Sequence, residues 1–294
     1  MNKRPVATLM ATIAALIWGF AFVAQSKGLE ILDTFTLSAI RSIIGAVVLI
    51  PLIKYIDHKN GKKDINKKLV WGGILCGTIL FMACNLQQIG LAVSTVGKTG
   101  FITALYIIIV PVIKFFTGKK SSVLILISVL LAAVGMYFLC IKETFTLTNA
   151  DIILLLCAAS FAVHIIAIDH FAPVVDCIRL SAIQFFVCGV LSVIAMLLFE
   201  EPSLSDIWAA KFPILYIGVL SSGVAYTLQV LAQKHTDPTM ASLIFSLESV
   251  FGLLGGYFIL HQKLSSRELL GCALVFTAVV LSQLPTKERN ELYD

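Results

Sequence analysis

Apolar runs long enough to cross a lipid bilayer occupy almost the whole of this 294-residue chain. A membrane-spanning helix needs about 20 mainly apolar residues, and short polar breaks separate ten such runs. The predicted helices are residues 5–25, 34–53, 69–91, 95–116, 121–141, 150–168, 178–199, 212–232, 238–260 and 266–284. The longest polar break, 54–68, is too short to fold alone. The sequence therefore predicts an all-α integral membrane protein without a soluble catalytic domain.

Composition supports residence in lipid. Hydrophobic residues make up 59% of the chain and charged residues 13%, with a mean hydropathy of +0.95, whereas soluble domains are about 25% charged. The seven cysteines lie mostly within apolar runs, and their odd number argues against a disulfide framework. Pro111 lies inside the fourth predicted helix, where we expect a kink.

Basic residues predict the orientation of the chain, because cytoplasmic loops carry an excess of Lys and Arg. These residues concentrate in alternate breaks, most densely in 54–68, which puts both termini on the cytoplasmic side. The run after Lys3 and Arg4 is too long for a signal peptide and has no Ala-x-Ala site. Since topology accounts for the net charge of +5, we expect the lipid bilayer and no nucleic acid as a partner. Short outer loops favour a bacterial inner membrane.

The two halves of the sequence resemble each other. The stretch LSAIR at 37–41 recurs 143 residues later as LSAIQ at 180–184. The pair Leu105-Tyr106 corresponds to Leu247-Glu248, which lies 142 residues later. Five predicted helices per half is an odd number, so the second half must enter the membrane in the opposite sense. Inverted five-helix repeats are common in secondary transporters, whose substrate site lies near the midplane. The predicted repeats are residues 1–145 and 146–294.

Polar side chains predict which helices line such a site. Ser222, Tyr226, Gln229 and Gln233 share one face of the eighth helix, whereas the fifth and tenth helices are nearly featureless. We expect helices one to four and six to nine around a polar cavity, with five and ten as scaffold or homodimer contacts. For any single polar residue, a hydrogen bond between helices is the alternative. The predicted substrate-binding residues are Trp18, Asn85, Gln88, Thr103, Tyr106, His164, Gln184, Tyr226, Gln229 and Glu248.

Glu248 is the most informative of these residues because of its depth. It lies about 15 Å into the ninth helix, where an acid costs about 2.5–3.5 kcal/mol. Either it is protonated at rest, or it pairs with Arg41, or it binds an amine. The structural alternative is a neutral acid bonded to neighbouring hydroxyls. Arg41 itself either extends outward or caps the cavity, and the alternative role for His164 is packing.

Two motifs only partly match known signatures. AVSTVGKT at 92–99 resembles a phosphate-binding loop, but Ala92 replaces the first glycine and no soluble strand precedes it. His164 and His170 are six residues apart and point to different helix faces, which argues against zinc. The sequence therefore predicts no metal and no cofactor.

Three stretches carry a resemblance to a known family: IWGFAFV at 17–23, LQQIGLAVSTVGKTGFITALYIIIVP at 86–111, and LQVLAQKHTDPTMASLIFSLESVFGLLGGYFIL at 228–260. They are similar to EamA-type members of the drug/metabolite transporter superfamily, and the resemblance covers essentially the whole chain. It implies ten helices in two inverted repeats around a central cavity. Two departures are Ser249, which replaces a common proline, and His261-Gln262, where the family often has Gly-Glu.

The resemblance implies gradient-driven transport of small metabolites such as amino acids, with export and proton coupling as further expectations. A gradient-driven carrier fits the chain because the sequence shows no ATPase domain. A passive channel or facilitator is one alternative. Another is an intramembrane enzyme built from Glu248, His164 and Asp169, although no spacing unites these residues. We also expect Pro111 and the glycines near Gly255 to let helices four and nine bend as gates.

Overall fold

The computed structural model describes residues 4–61, 65–118, 122–141, 148–260 and 265–284. Within these ranges the secondary structure is helical, without strands. The predicted boundary at 145/146 and the pair His261-Gln262 lie outside the described residues. The long helices are α1 Arg4–Leu29, α2 Thr34–Asn60, α3 Lys67–Ala92, α4a Val96–Ala104 with α4b Tyr106–Phe116, α5 Val123–Cys140, α6 Asn149–Phe171, α7 Cys177–Phe199, α8 Lys211–Gln233 (in three parts), α9a Pro238–Phe245 with α9b Leu247–Leu260, and α10 Ser266–Gln283.

In the described part of the chain, nine helical segments are long and apolar enough to cross a membrane. The apolar stretch of α5, Val123–Leu139, is shorter than these segments. The predicted all-helical membrane class is therefore confirmed, and observed helix ends lie close to predicted ones in most cases. The prediction of ten crossings in two inverted repeats stays a prediction.

Side-chain caps fix where several helices begin. Asn66, Thr95, Ser122 and Asp176 each accept a hydrogen bond from the backbone N–H three residues later, which satisfies a donor left free at the helix start. The start of α2 is capped from another helix end, since Glu200 accepts bonds from the backbone N–H groups of residues 35 and 36. These caps place the turns between the apolar runs.

The fourth and ninth helices are both interrupted near their middle. Leu105 separates α4a from α4b, and Ser246 separates α9a from α9b. At each break the backbone makes i→i+3 bonds, from Ile108 N to Leu105 O at 2.9 Å and from Ser249 N to Ser246 O at 3.2 Å. The Ser246 hydroxyl also donates to Leu243 O at 2.6 Å, in competition with the helical ladder.

Pro111 does not mark the interruption of the fourth helix, as we had expected. The break lies six residues earlier, at Leu105, while Pro111 is inside α4b. A proline ring crowds the carbonyl four residues before it, here that of Ile107. The distortion therefore falls on the N-terminal side of the proline, next to the break.

The eighth helix changes its winding. Between Lys211–Leu215 and Tyr226–Gln233, residues Tyr216–Ala225 form a π-helix, in which hydrogen bonds join residues five apart. Residues five apart, such as Ser221 and Tyr226, therefore share a face across this join. Such segments occur often at functional sites.

Packing between helices pairs the two halves of the chain. The helix α2 packs on α7 and α5 packs on α10, while α3 contacts α6 and α7 in the way that α8 contacts α1 and α2. Close approaches depend on glycine. A Cβ built on Gly271 would lie 2.6 Å from Gly135 O, and one on Gly19 would lie 2.7 Å from Gly252 N. The second approach brings α1 against α9b.

Candidate functional site

A cavity of about 490 Å³, its opening included, lies among the helices. Helices α1, α2, α3, α4, α6, α8 and α9 supply its lining, whereas α5, α7 and α10 supply none. We had expected α7 to take part, but it packs behind, against α2 and α3. The lining residues are Trp18, Phe22, Gln25, Arg41, Gln87, Thr103, Tyr106, Phe161, Ile165, Ser221, Tyr226, Gln229, Phe245 and Glu248.

Aromatic side chains form one wall of the cavity. The Trp18 ring makes edge-to-face contacts with Tyr226 at 4.8 Å and with Phe245 at 5.4 Å between centroids. Trp18 Nε1 and Gln229 Oε1 are buried and have no hydrogen-bond partner among the described residues. Buried polar groups are normally bonded. The wall therefore offers an apolar surface with one donor and one acceptor available to a small molecule.

Glu248 faces the cavity from the first turn of α9b, just after the break at Ser246. Only 7% of its surface is exposed. The Tyr106 hydroxyl, at the start of α4b, donates to Glu248 Oε1 at 3.2 Å. Both interrupted helices thus place a polar side chain at their break, and a hydrogen bond joins the two.

Arg41 enters the cavity from α2 and is buried, with 3% exposed. Its Nη1 donates to Gln25 Oε1 at 2.8 Å, its Nε to Ser222 Oγ at 3.2 Å and its Nη2 to Ser221 Oγ at 3.4 Å. The expected alternative in which Glu248 pairs with Arg41 is therefore not observed, because each has other partners. The expected outward extension of Arg41 is not observed either.

Six of the ten predicted site residues line the cavity, and four lie behind it. The residues in the lining are Trp18, Thr103, Tyr106, Tyr226, Gln229 and Glu248. The four behind it are buried and belong to α3, α6 and α7: Asn85, Gln88, His164 and Gln184. Substrate binding by any of the ten stays a prediction.

Three of the four residues behind the cavity form hydrogen bonds between helices. The ring nitrogen Nε2 of His164 and Oε1 of Gln184 are 3.1 Å apart, which joins α6 to α7. Asn85 Nδ2 donates to Phe81 O at 2.8 Å and to Ser192 Oγ at 3.4 Å. Both side-chain polar atoms of Gln88 are buried without a partner among the described residues. This polar layer fits the alternative in which such residues stabilise helix packing.

Alongside four apolar residues, four polar lining residues were absent from the predicted set: Gln25, Arg41, Gln87 and Ser221. Gln25 lies two turns after Trp18 on the same side of α1, and Arg41 carries a charge deep in an apolar run, so a signal existed for both. Gln87 and Gln88 are adjacent, and helical spacing alone does not say which one faces inward. Ser221 faces the cavity because of the π-helix.

The arrangement is suited to binding a small molecule. Of Glu248, His164 and Asp169, only Glu248 lines the cavity. Within the described ranges, no group of three or more His, Cys, Asp or Glu side chains is placed to hold a metal ion. An apolar pocket with a few placed polar groups is typical of small-molecule sites, which measure about 300–1,000 Å³.

Comparison with known proteins agrees with this geometry. Residues 6–141 and 148–284 each match the EamA-like transporter family. An uncharacterized transporter of Archaeoglobus fulgidus is 29% identical over 286 residues, covering 96% of this chain and 87% of that protein. The uncharacterized transporter YoaV of Bacillus subtilis is 24% identical over 282 residues, covering 94% and 96%.

A solved crystal structure of another protein shares the fold. Its TM-score is 0.79 at 19% identity, and the match covers 99% of this chain and 100% of that one. The likeness in fold extends over nearly the whole chain. Together with the two family matches, which span nearly the whole sequence, this leads to one conclusion: the chain belongs to the EamA-like transporter family and is a membrane transporter.

Proposed function

We propose that this protein is a secondary transporter that exports small metabolites such as amino acids by alternating exposure of the cavity. The observation that carries the proposal is the central cavity, with Glu248 buried in its wall and bonded to Tyr106. A desolvated acid deep in a membrane protein is costly and typically marks a substrate or proton pathway. A ligand amine, or a proton, compensates that cost.

An inverted-repeat architecture is part of the proposal, with repeats 1–145 and 146–294. Two observations support it. Helix α3 of the first half packs on α6 and α7 of the second, as α8 of the second half packs on α1 and α2 of the first. The breaks at Leu105 and Ser246 also fall at corresponding places in the two halves. Interrupted helices at the substrate site are a recurring feature of carriers built from inverted repeats. The breaks are the proposed hinges, in place of Pro111.

Ion pairs at the ends of the bundle support a gated cavity. Lys114 at the end of α4b contacts Asp237 at the start of α9a, so the two interrupted helices are tied together at one end. Lys98 Nζ lies 2.8 Å from Asp151 Oδ2 and joins α4a to α6. We propose that opening to one side breaks the Lys114–Asp237 contact and lets α4b separate from α9a.

Exchange in proteoliposomes tests the proposed function. Purified protein is first screened by thermal shift against amino acids, nucleosides and cationic drugs, because ligands of the folded state raise its apparent stability. Labelled hits are then offered to vesicles preloaded with the unlabelled compound. A carrier accumulates label by counterflow, whereas a channel or an enzyme does not, and absence of counterflow for every hit would overturn the proposal.

Glu248→Gln tests the role of the acid, with Glu268→Gln as the matched control. Glu268 is also buried, but it caps α10 through Ser265 and does not line the cavity; glutamine serves in the same capping box. We expect Glu248→Gln to lower exchange about ten-fold, equivalent to about 1.4 kcal/mol, and to flatten its dependence on pH. Unchanged exchange with an unchanged pH profile would remove Glu248 from the mechanism.

The orientation and location are proposed from charge. Both termini are placed in the cytoplasm of a bacterial cell, with the protein in the inner membrane. In that arrangement Lys59, at the end of α2, and Glu201, just after α7, are exposed on opposite sides. Single cysteines at these positions should react with a membrane-impermeant maleimide from opposite sides. A homodimer through the outer faces of α5 and α10 stays a prediction.

A further inference from the structure

Arg41 differs from the other buried cations of the described chain. Lys114 contacts Asp237, and Arg179 contacts the carboxylate of Asp57, so two of the three have acidic partners. Arg41 contacts only neutral oxygens, those of Gln25, Ser221 and Ser222. A buried charge is normally paired with an opposite charge. Among the described residues, the buried guanidinium of Arg41 therefore has no acidic hydrogen-bond partner to balance its charge.

The geometry of Arg41 leaves room for such a counter-charge. A guanidinium has five N–H donors in a fixed fork, and the three bonds from Nε, Nη1 and Nη2 leave two N–H groups without a hydrogen-bond partner among the described residues. Because Arg41 lines the cavity, a ligand inside can reach it. The bonds that Arg41 donates to Gln25 and the two serines hold the fork in place, and a fork of this kind matches oxyanions.

The helical scaffold does not require a charge at this position. Arg41 ends the stretch LSAIR, and the corresponding residue in LSAIQ is the neutral Gln184. Gln184 is also fully buried, and its Oε1 lies 3.1 Å from Nε2 of His164. Since the same position in the second half is filled by an amide, the charge of Arg41 points to a ligand rather than to packing.

We propose that Arg41 is the anion-binding residue of the cavity and that the transported solute carries an oxyanion, either a carboxylate or a phosphate monoester. This inference rests on the proposed transport function for the identity of the ligand, but the anion site itself does not. Arg41 determines specificity by excluding solutes without an oxyanion, since these leave the guanidinium uncompensated.

The first test compares matched solutes by thermal shift of the purified protein. Each amino acid is tested beside its amide and its decarboxylated amine, and the simple carboxylic acids are tested beside phosphate monoesters of similar size. We expect stabilisation only by oxyanion-bearing compounds, and the stabilised series identifies carboxylate or phosphate. Equal stabilisation by amides or amines would overturn the proposal.

Variants assign the effect to the guanidinium. Arg41→Gln, which copies Gln184, should abolish the ligand-induced shift, and Arg41→Lys should weaken it because a lysine keeps the charge and loses the fork. Arg179→Gln is the matched control, since Arg179 is a buried arginine that lies outside the cavity lining. It should lower the starting melting temperature while preserving the ligand-induced shift. A shift preserved in Arg41→Gln would refute the assignment.

A second test needs no solute. The chain has three tryptophans, and Trp71 and Trp208 are exposed by 68% and 71%, so replacing both with Phe leaves Trp18 as the reporter inside the cavity. The quenching constant of Trp18 fluorescence is measured with iodide, an anion, and with acrylamide, which is neutral. The ratio of the iodide constant to the acrylamide constant measures the attraction of the cavity for anions. Arg41→Gln should lower this ratio about two-fold or more, because a charged cleft concentrates counter-ions.

The iodide test separates the two proposals. An unchanged ratio in Arg41→Gln overturns the anion site, whether or not any solute binds. A lowered ratio in a protein that shows no counterflow for any compound means that the anion site is present and that the transport proposal has failed.

Discussion

Replacing Gly19 with alanine tests the close packing of α1 against α9b, in which Gly19 lies against the backbone of Glu248 and Gly252. The added methyl would lie 2.5 Å from the Cβ of Phe251, 2.7 Å from Glu248 O and 2.7 Å from Gly252 N. Ordinary contacts between such atoms are about 3.5–4.0 Å, so the helices must separate by about 1 Å. Two of the three contacts are with backbone, and no rotamer change relieves them.

The expected cost follows from two opposing effects. Overpacking costs about 1–3 kcal/mol, and backbone contacts put this site in the upper half of that range. Alanine recovers about 1 kcal/mol through its higher helix propensity. The free energy of unfolding should therefore fall by about 1–2 kcal/mol, measured by SDS titration in detergent micelles, and counterflow should fall as the cavity wall shifts.

The matched control is Gly100→Ala in α4a. A Cβ built on Gly100 meets nothing within 4 Å, so only the propensity effect remains and the protein should become more stable by up to about 1 kcal/mol. A Gly19→Ala protein as stable as the wild type, or as stable as Gly100→Ala, would refute the close crossing of α1 and α9b.

Two further predictions concern contacts at the interrupted helices. Tyr106→Phe removes the bond to Glu248, worth about 1 kcal/mol, and should lower counterflow about five-fold without changing the detergent-solubilised fold; unchanged exchange would count against this bond. Asp237→Asn keeps the helix cap, which asparagine also forms, but leaves Lys114 buried without its carboxylate. Because the Asp237 side chain is 27% exposed, the loss measured by SDS titration should be about 1–3 kcal/mol. Adding Lys114→Gln should recover part of that loss; no recovery would argue against the ion pair.

The fold was largely predictable because apolar length and polar breaks determine where helices run in a membrane. The seventh helix is an example, because its predicted range, 178–199, and its observed range, Cys177–Phe199, differ by one residue. The breaks at Leu105 and Ser246 were not predicted. Both lie inside apolar stretches, and the bond from the Ser246 hydroxyl to Leu243 O is one of several that a serine can make.

The site was partly predictable. The depth of Glu248 and the periodicity around Tyr226 pointed to the cavity, and both residues line it. Periodicity failed where the helix departs from 3.6 residues per turn, because the π-helix brings Ser221 rather than Ser222 into the lining. It also failed for His164, since a polar residue facing a neighbouring helix has the same spacing as one facing a cavity.

Accessibility of the cavity from each side of the membrane tests the central claim. Thr103 lines the cavity from α4a. We would introduce Thr103→Cys into a protein whose seven native cysteines are replaced. This single cysteine can be probed with a membrane-impermeant thiol reagent in vesicles of both orientations. We expect modification from either side, with the rate on one side rising as the rate on the other falls when the solute gradient is reversed. Modification from one side alone under both gradients would contradict it.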